Sequence, residues 1–71
     1  MTRVADFPRG TVLTIHLLGG NRVDGTFLRK TRTFYHLSKG KLSVDGTMHT
    51  LVSERVLVPR KQVQLVEVIG R

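Results

Sequence analysis

Residues 10–27 read Gly-Thr-Val-Leu-Thr-Ile-His-Leu-Leu-Gly-Gly-Asn-Arg-Val-Asp-Gly-Thr-Phe, and this stretch decides the fold. Apolar and polar residues alternate over 11–18, which is typical of a half-buried strand. Gly19-Gly20-Asn21 is a hairpin turn signal, and the alternation resumes over 22–30. Gly25 lies inside this second strand, where a glycine marks a sharp bend or a close approach of two backbones. The stretch therefore predicts a β-hairpin that bends at Gly25.

The remainder of the chain is also patterned as strands, and no helix longer than a turn or two is indicated. Asp45-Gly46 favours a type I′ hairpin turn, so we expect one long third strand with a bulge at Gly40. A turn at 39–40 is the alternative. Pro59 ends the fourth strand because proline cannot donate to a β-ladder, and residues 53–55 can kink that strand. The fifth strand carries valines on both faces, which predicts that both faces are covered. The predicted strands are 11–18, 22–30, 33–44, 47–58 and 63–69.

The chain has 71 residues and is expected to form one domain over 1–71, with residues 1–10 as an N-terminal arm or a short helix. A domain this small buries only about 60% of the surface of its unfolded chain. It therefore usually needs disulfide cross-links, a metal or partner subunits to be stable. There are no cysteines, and the three histidines are not spaced as metal ligands. We therefore expect no cofactor, no metal and self-association.

Twelve Lys and Arg residues oppose five Asp and Glu residues, which gives a formal net charge of +7. Such a charge favours partners that carry phosphate. No apolar run approaches the ~20 residues that span a bilayer, and no apolar segment follows the first residues as in a secretory signal. We expect a cytoplasmic protein with no membrane partner. The acids are scattered and no nucleophile or phosphate-loop motif is present, so neither an enzyme nor a small-molecule substrate is expected.

A family resemblance follows from these segments. An alternating apolar strand, Gly20, Gly25 five residues later and Phe27 resemble the first signature of the Sm and Sm-like RNA-binding proteins, which include the bacterial Hfq chaperones. Residues 56–65, Val-Leu-Val-Pro-Arg-Lys-Gln-Val-Gln-Leu, are similar to the second signature. The resemblance covers residues 8–69. It implies a short N-terminal helix and a strongly bent, five-stranded antiparallel open barrel of the Sm-like or SH3-like kind.

The resemblance also implies a ring. In that family the free edges of the fourth and fifth strands pair between neighbours and close a hexamer or heptamer. Thr31 and Tyr35 stand where the family usually has the Asp and Asn that grip a base, and Pro59-Arg60 replaces the family's basic turn. These departures bear on uridine specificity rather than on the ring.

The candidate RNA-binding residues come from two basic segments. Between Arg29 and Lys41 there are five basic residues and no acid, interleaved with aromatic rings. Basic residues bind phosphates and flat rings stack on unpaired bases. We expect Phe34 in the core and Tyr35 available for stacking. The predicted RNA-binding residues, which would face the pore of a ring, are Lys30, Thr31, Arg32, Tyr35, Arg60 and Lys61.

Three functional hypotheses follow. The first is a ring that binds single-stranded RNA through a basic, aromatic-containing pore face. The second is a small β-barrel that serves as a protein-interaction or structural assembly module, in which tyrosine and arginine are also common interface residues. Duplex DNA binding ranks last, because the sequence offers no recognition helix.

Overall fold

The computed structural model of the protein describes residues 7–50 and 55–70. Within them the strands form one antiparallel sheet in the order β4-β3-β2-β1-β6, and β5 pairs with β3 on the same side as β4. The sheet is not closed, so the predicted all-β, open architecture is confirmed. The strands are β1 (Val12–Leu17), β2 (Arg22–Lys30), β3 (Phe34–Val44), β4 (Thr47–Thr50), β5 (Val56–Pro59) and β6 (Val63–Gly70), and a one-turn 3-10 helix (Arg60–Gln62) joins β5 to β6.

The predicted fourth strand is divided into two. β4 and β5 both pair antiparallel with β3, at its two ends, with Thr50 opposite Lys41 and Val56 opposite Leu37. Residues 51–54, which include part of the expected kink, lie outside the described residues, as do residues 1–6 of the expected N-terminal arm or helix.

Gly25 is the point of closest backbone approach between β2 and β3. A Cβ atom placed on Gly25 would lie 3.1 Å from Cβ of Leu37 and 3.2 Å from the carbonyl oxygen of Ser38. The pairing slips here, because Lys39 and Gly40 together lie opposite the single residue Gly25. Lys39 adopts a left-handed φ of 53°, as the first residue of such a bulge can. Of the two meanings of a glycine inside a strand, a bend or a close approach, the close approach is observed at Gly25, and the predicted bulge at Gly40 is confirmed.

The Asp45-Gly46 turn is also confirmed. Asp45 has a φ of 51° and Gly46 a φ of 81°, the two left-handed residues that a type I′ turn requires. β3 therefore runs without interruption through residues 39–40, and the alternative turn there is wrong.

The core forms where the inward faces of β1, β2, β3 and β5 meet. Thr14, on the opposite face of β1, is also buried, and its hydroxyl donates a 2.5 Å hydrogen bond to Oδ1 of Asp24. This pairing satisfies a polar group that would otherwise be buried at a cost. The buried apolar side chains are Leu13, Ile15, Val23, Phe27, Tyr35, Leu37 and Val58.

The last strand, β6, is covered less than its sequence predicts. Val63 and Val66 pack against the core, although strict alternation places them on opposite faces. A register shift between the pairs Leu17–Val63 and His16–Leu65 moves Val63 to the core side. Leu65, Val68 and Ile69 remain about half exposed or more. The expected cover on both faces is therefore not supplied by the described part of the chain.

Candidate nucleic-acid interface

The pairing of β5 with β3 brings the 3-10 turn beside the loop between β2 and β3. Phe34, the first residue of β3, lies opposite Pro59, the last residue of β5. The backbone N–H of Arg60 then donates a 2.8 Å hydrogen bond to the carbonyl oxygen of Thr33. Two basic segments that are almost thirty residues apart in sequence are thus held in contact, as the pore-face hypothesis requires.

The side chain of Arg60 strengthens this junction. One guanidinium nitrogen, Nη1, donates to the carbonyl oxygens of Thr31 at 3.2 Å and Arg32 at 3.3 Å. Its Cζ lies 6.0 Å from the centre of the Tyr35 ring, at the outer limit of a cation–π contact. A single nitrogen of the Arg60 side chain therefore bridges two carbonyl oxygens of the loop and holds its backbone against the 3-10 turn.

Thr31 closes the loop from the other side. The hydroxyl oxygen of Thr31 accepts a 3.0 Å hydrogen bond from the backbone N–H of Phe34. The backbone N–H of Thr31 donates a 2.8 Å hydrogen bond to the carbonyl oxygen of Phe34. A short hydroxyl side chain that bonds backbone three residues on stabilises a turn. Thr31 therefore acts on the shape of the loop, where the family resemblance would place an aspartate.

The described geometry leaves two cationic side chains exposed at this junction. Arg32 lies at the tip of the loop and Lys61 in the 3-10 turn, and both are exposed. Lys30 is half-buried at the end of β2, where its backbone pairs with Tyr35. We call Lys30, Thr31, Arg32, Arg60 and Lys61 the loop cluster.

The structure reverses the expected burial of the two aromatic rings. Tyr35 is only 5% exposed and belongs to the core, whereas Phe34 is partly exposed. The expectation that Tyr35 offers an accessible ring face was wrong, because Tyr35 shares the strand face of Leu37 and lies opposite Val58, both of which are core residues. The parity with Leu37 was a signal in the sequence that could have found this.

Acidic groups lie away from the loop cluster among the described residues. Asp24 pairs with Arg22 at 3.7 Å, and Glu67 pairs with His16 at 2.5 Å, so the ion pairs involve β1, β6 and the first half of β2. Asp45 lies in the hairpin turn. Arg32, Arg60 and Lys61 take part in neither ion pair. The separation of charge leaves the loop end of the sheet cationic.

The described ranges contain no group of three potential metal-ligating side chains. They also contain no helix that is long and apolar enough to cross a membrane. Neither a protein-family model nor a curated protein sequence matches this chain.

Proposed function

We propose that the protein is an Sm-like, homo-oligomeric ring that binds single-stranded RNA through the loop cluster. The observation that carries the proposal is the junction at Arg60. Two basic segments are fixed side by side, their members Arg32 in the loop and Lys61 in the 3-10 turn are exposed, and no described acid accompanies them. Rigidly placed cations beside unpaired bases are what backbone-tracking single-strand binders use.

The stacking partner in this proposal is Phe34 rather than Tyr35. Phe34 is partly exposed at the start of β3, directly after the loop that carries Arg32. A base that stacks on an aromatic ring gains about 1–3 kcal/mol in single-strand binders, and it needs an accessible ring face. In this arrangement the buried ring of Tyr35 contacts the guanidinium of Arg60 and helps to position it.

The edges of the sheet support the ring. Among the described residues, β6 pairs only with β1, while β4 and β5 pair only with β3, so the outer edge of each is unpaired. An unpaired edge is a template for another chain, and two different edges that meet head to tail close a ring when the rotation permits. Exposed Leu57 on β5 and exposed Leu65 on β6 provide apolar surface beside these edges. The ring size, six or seven, comes from the family resemblance.

The cations of the loop cluster are tested by single substitutions with a matched control. Arg32→Ala and Lys61→Ala each remove one exposed charge from the loop cluster, and Lys41→Ala removes one exposed charge from the far half of β3. Affinity for a short unstructured oligoribonucleotide is measured by fluorescence anisotropy over a range of salt concentrations. Each lost phosphate contact makes the log–log salt slope shallower by about 0.7. We expect this change for Arg32→Ala and Lys61→Ala but not for Lys41→Ala, and equal slopes in all three variants would reject the assignment.

A protein-interaction or structural module is the second candidate, and one observation favours it. An apolar groove of about 300 Å³ lies between β5 and the β1–β2 turn, lined by residues that include Leu17, Leu42 and Leu57. Grooves of this kind accept apolar side chains of a partner. Purification with and without nuclease separates the two candidates. Nucleic-acid absorbance that disappears after nuclease treatment supports RNA binding, whereas a protein spectrum throughout supports the module.

A further inference from the structure

The apolar groove between β5 and the β1–β2 turn adjoins the loop cluster. Pro59 and Gln62 both line the groove, and residues 60–61 of the loop cluster lie between them in sequence. The backbone N–H of Leu18 donates a 2.8 Å hydrogen bond to the carbonyl oxygen of Gln62, so the two turns that border the groove are held together. Consecutive Cα atoms are about 3.8 Å apart, so a strand held by Lys61 passes directly beside the groove.

The lining of the groove combines apolar walls with two side-chain amides. Most of the lining residues are aliphatic, among them Leu17, Val56 and Leu57. The amides belong to Asn21 in the β1–β2 turn and to Gln62 in the 3-10 turn. Neither amide makes a side-chain hydrogen bond within the described part of the chain. Each amide has two N–H donors and a carbonyl acceptor, so the groove can hold an apolar ring and bond its polar edge.

The size and the surroundings of the groove specify its occupant. Its volume of about 300 Å³ is at the lower limit of pockets that bind small molecules, so it accommodates a single ring system. An apolar side chain of a protein partner would leave both amides without partners in the groove, which costs free energy. A nucleobase has apolar faces and a hydrogen-bonding edge, and the exposed Lys61 beside Gln62 attracts the phosphate that accompanies it. The chemistry therefore favours a base over a protein side chain.

We propose that the groove holds one unpaired base of the bound RNA strand, with Asn21 and Gln62 at the edge of the base and Lys61 at its phosphate. This inference rests on the proposed function, because the strand is the one that the loop cluster binds. Proteins that hold a base outside a stack use hydrogen bonds to its edge and apolar contacts to its faces. The cations of the loop cluster bind phosphates, which carry no sequence information. The groove thus adds direct contacts to a base.

The first measurement compares a short unstructured oligoribonucleotide with an abasic strand that has the same number of phosphates, by fluorescence anisotropy. We expect Asn21→Ala and Gln62→Ala each to weaken binding of the base-containing strand by about three- to tenfold and to leave the abasic strand unchanged. Lys61→Ala should weaken binding of both strands. Gln64→Ala, the matched control, removes an exposed amide of β6 that does not line the groove, and it should change neither. Amide variants that bind the base-containing strand normally, or that lose affinity equally for both strands, overturn the proposal.

The second measurement adds adenosine or uridine monophosphate to the full chain and follows the side-chain amide NMR signals. We expect the nucleotides to shift the signals of Asn21 and Gln62 and to leave that of Gln64 unchanged. Such shifts in a protein that binds no RNA strand would reject the proposed function and support the groove as a base site. RNA binding that depends on Lys61 but on neither amide would support the proposed function and overturn the base site. Signals that change on dilution of the protein, but not with nucleotide, would indicate a second copy in the groove and also overturn the base site.

Discussion

The contact at Gly25 gives a prediction whose size follows from the geometry. In Gly25→Ala the new methyl group meets Leu37 and the Ser38 carbonyl at 3.1 to 3.2 Å. Leu37 is fully buried and Ser38 adjoins the bulge, so neither has room to withdraw. Overpacking of this kind costs about 1–3 kcal/mol. Where the native backbone conformation allows alanine, Gly→Ala also stabilises the folded state by about 0.4–1 kcal/mol, because it reduces the conformational entropy of the unfolded chain.

Gly19→Ala is the matched control, because a Cβ atom on Gly19 meets nothing within 4 Å and its φ is not left-handed. The unfolded-state contribution is common to both variants, so their difference isolates the packing cost. We expect the free energy of unfolding of Gly25→Ala to be about 1–3 kcal/mol below that of Gly19→Ala. Urea unfolding followed by far-ultraviolet circular dichroism measures it, at one fixed protomer concentration because assembly adds to apparent stability. Equal stability of the two variants would refute the close approach of β2 and β3.

Three other predictions test local features. Gly46→Ala forces a side chain into a left-handed φ of 81° and should cost about 1–2 kcal/mol in thermal unfolding, whereas Asp45→Asn at the preceding residue should be nearly neutral because asparagine tolerates that conformation. Arg60→Ala removes the Nη1 hydrogen bonds to the carbonyl oxygens of Thr31 and Arg32, so amide exchange in the loop 31–33 should accelerate and RNA affinity should fall; unchanged exchange would show that the Arg60 side chain does not brace the loop. The pKa of the His36 imidazole is lower in the folded protein than in the unfolded chain, so the unfolded chain takes up the imidazole proton at a higher pH. The free energy of unfolding is therefore undiminished above pH 6.5 and falls as the pH decreases towards the pKa of the folded state. His36→Gln should remove this part of the pH profile of stability, and an identical profile in both proteins would contradict the prediction.

The features predicted correctly from the sequence are those set by local chemistry. Asp45-Gly46 adopts the left-handed pair of a type I′ turn because few other dipeptides do so at low cost. Gly25 marks a close approach because any side chain there would meet Leu37. Alternation located the buried faces of β1 and β2, since the period of two is a direct consequence of strand geometry.

The features that were missed depend on pairing between distant strands. Val63 faces the core because of a register shift against β1, and this shift cannot be predicted from the alternation of residues along β6. Arg60 reaches the carbonyls of Thr31 and Arg32 only because β5 pairs with the start of β3. The surroundings of His36 are likewise assembled from three strands. Each of these features depends on the register of the sheet. The hydrophobic pattern predicts that register only where no bulge shifts it.

The position of the 3-10 turn links the two halves of the proposed function. Arg60–Gln62 joins β5 to β6, so the loop cluster lies at the connection between two strands whose outer edges are unpaired among the described residues. In a ring built by pairing one edge with the other, every subunit junction therefore places cationic turns of neighbouring copies near each other. Like charges repel at such a junction, and screening by salt or neutralisation by a polyanion relieves that repulsion. An RNA strand that follows the loop clusters would bind the assembled ring better than a single subunit, and by linkage it would stabilise the ring that binds it.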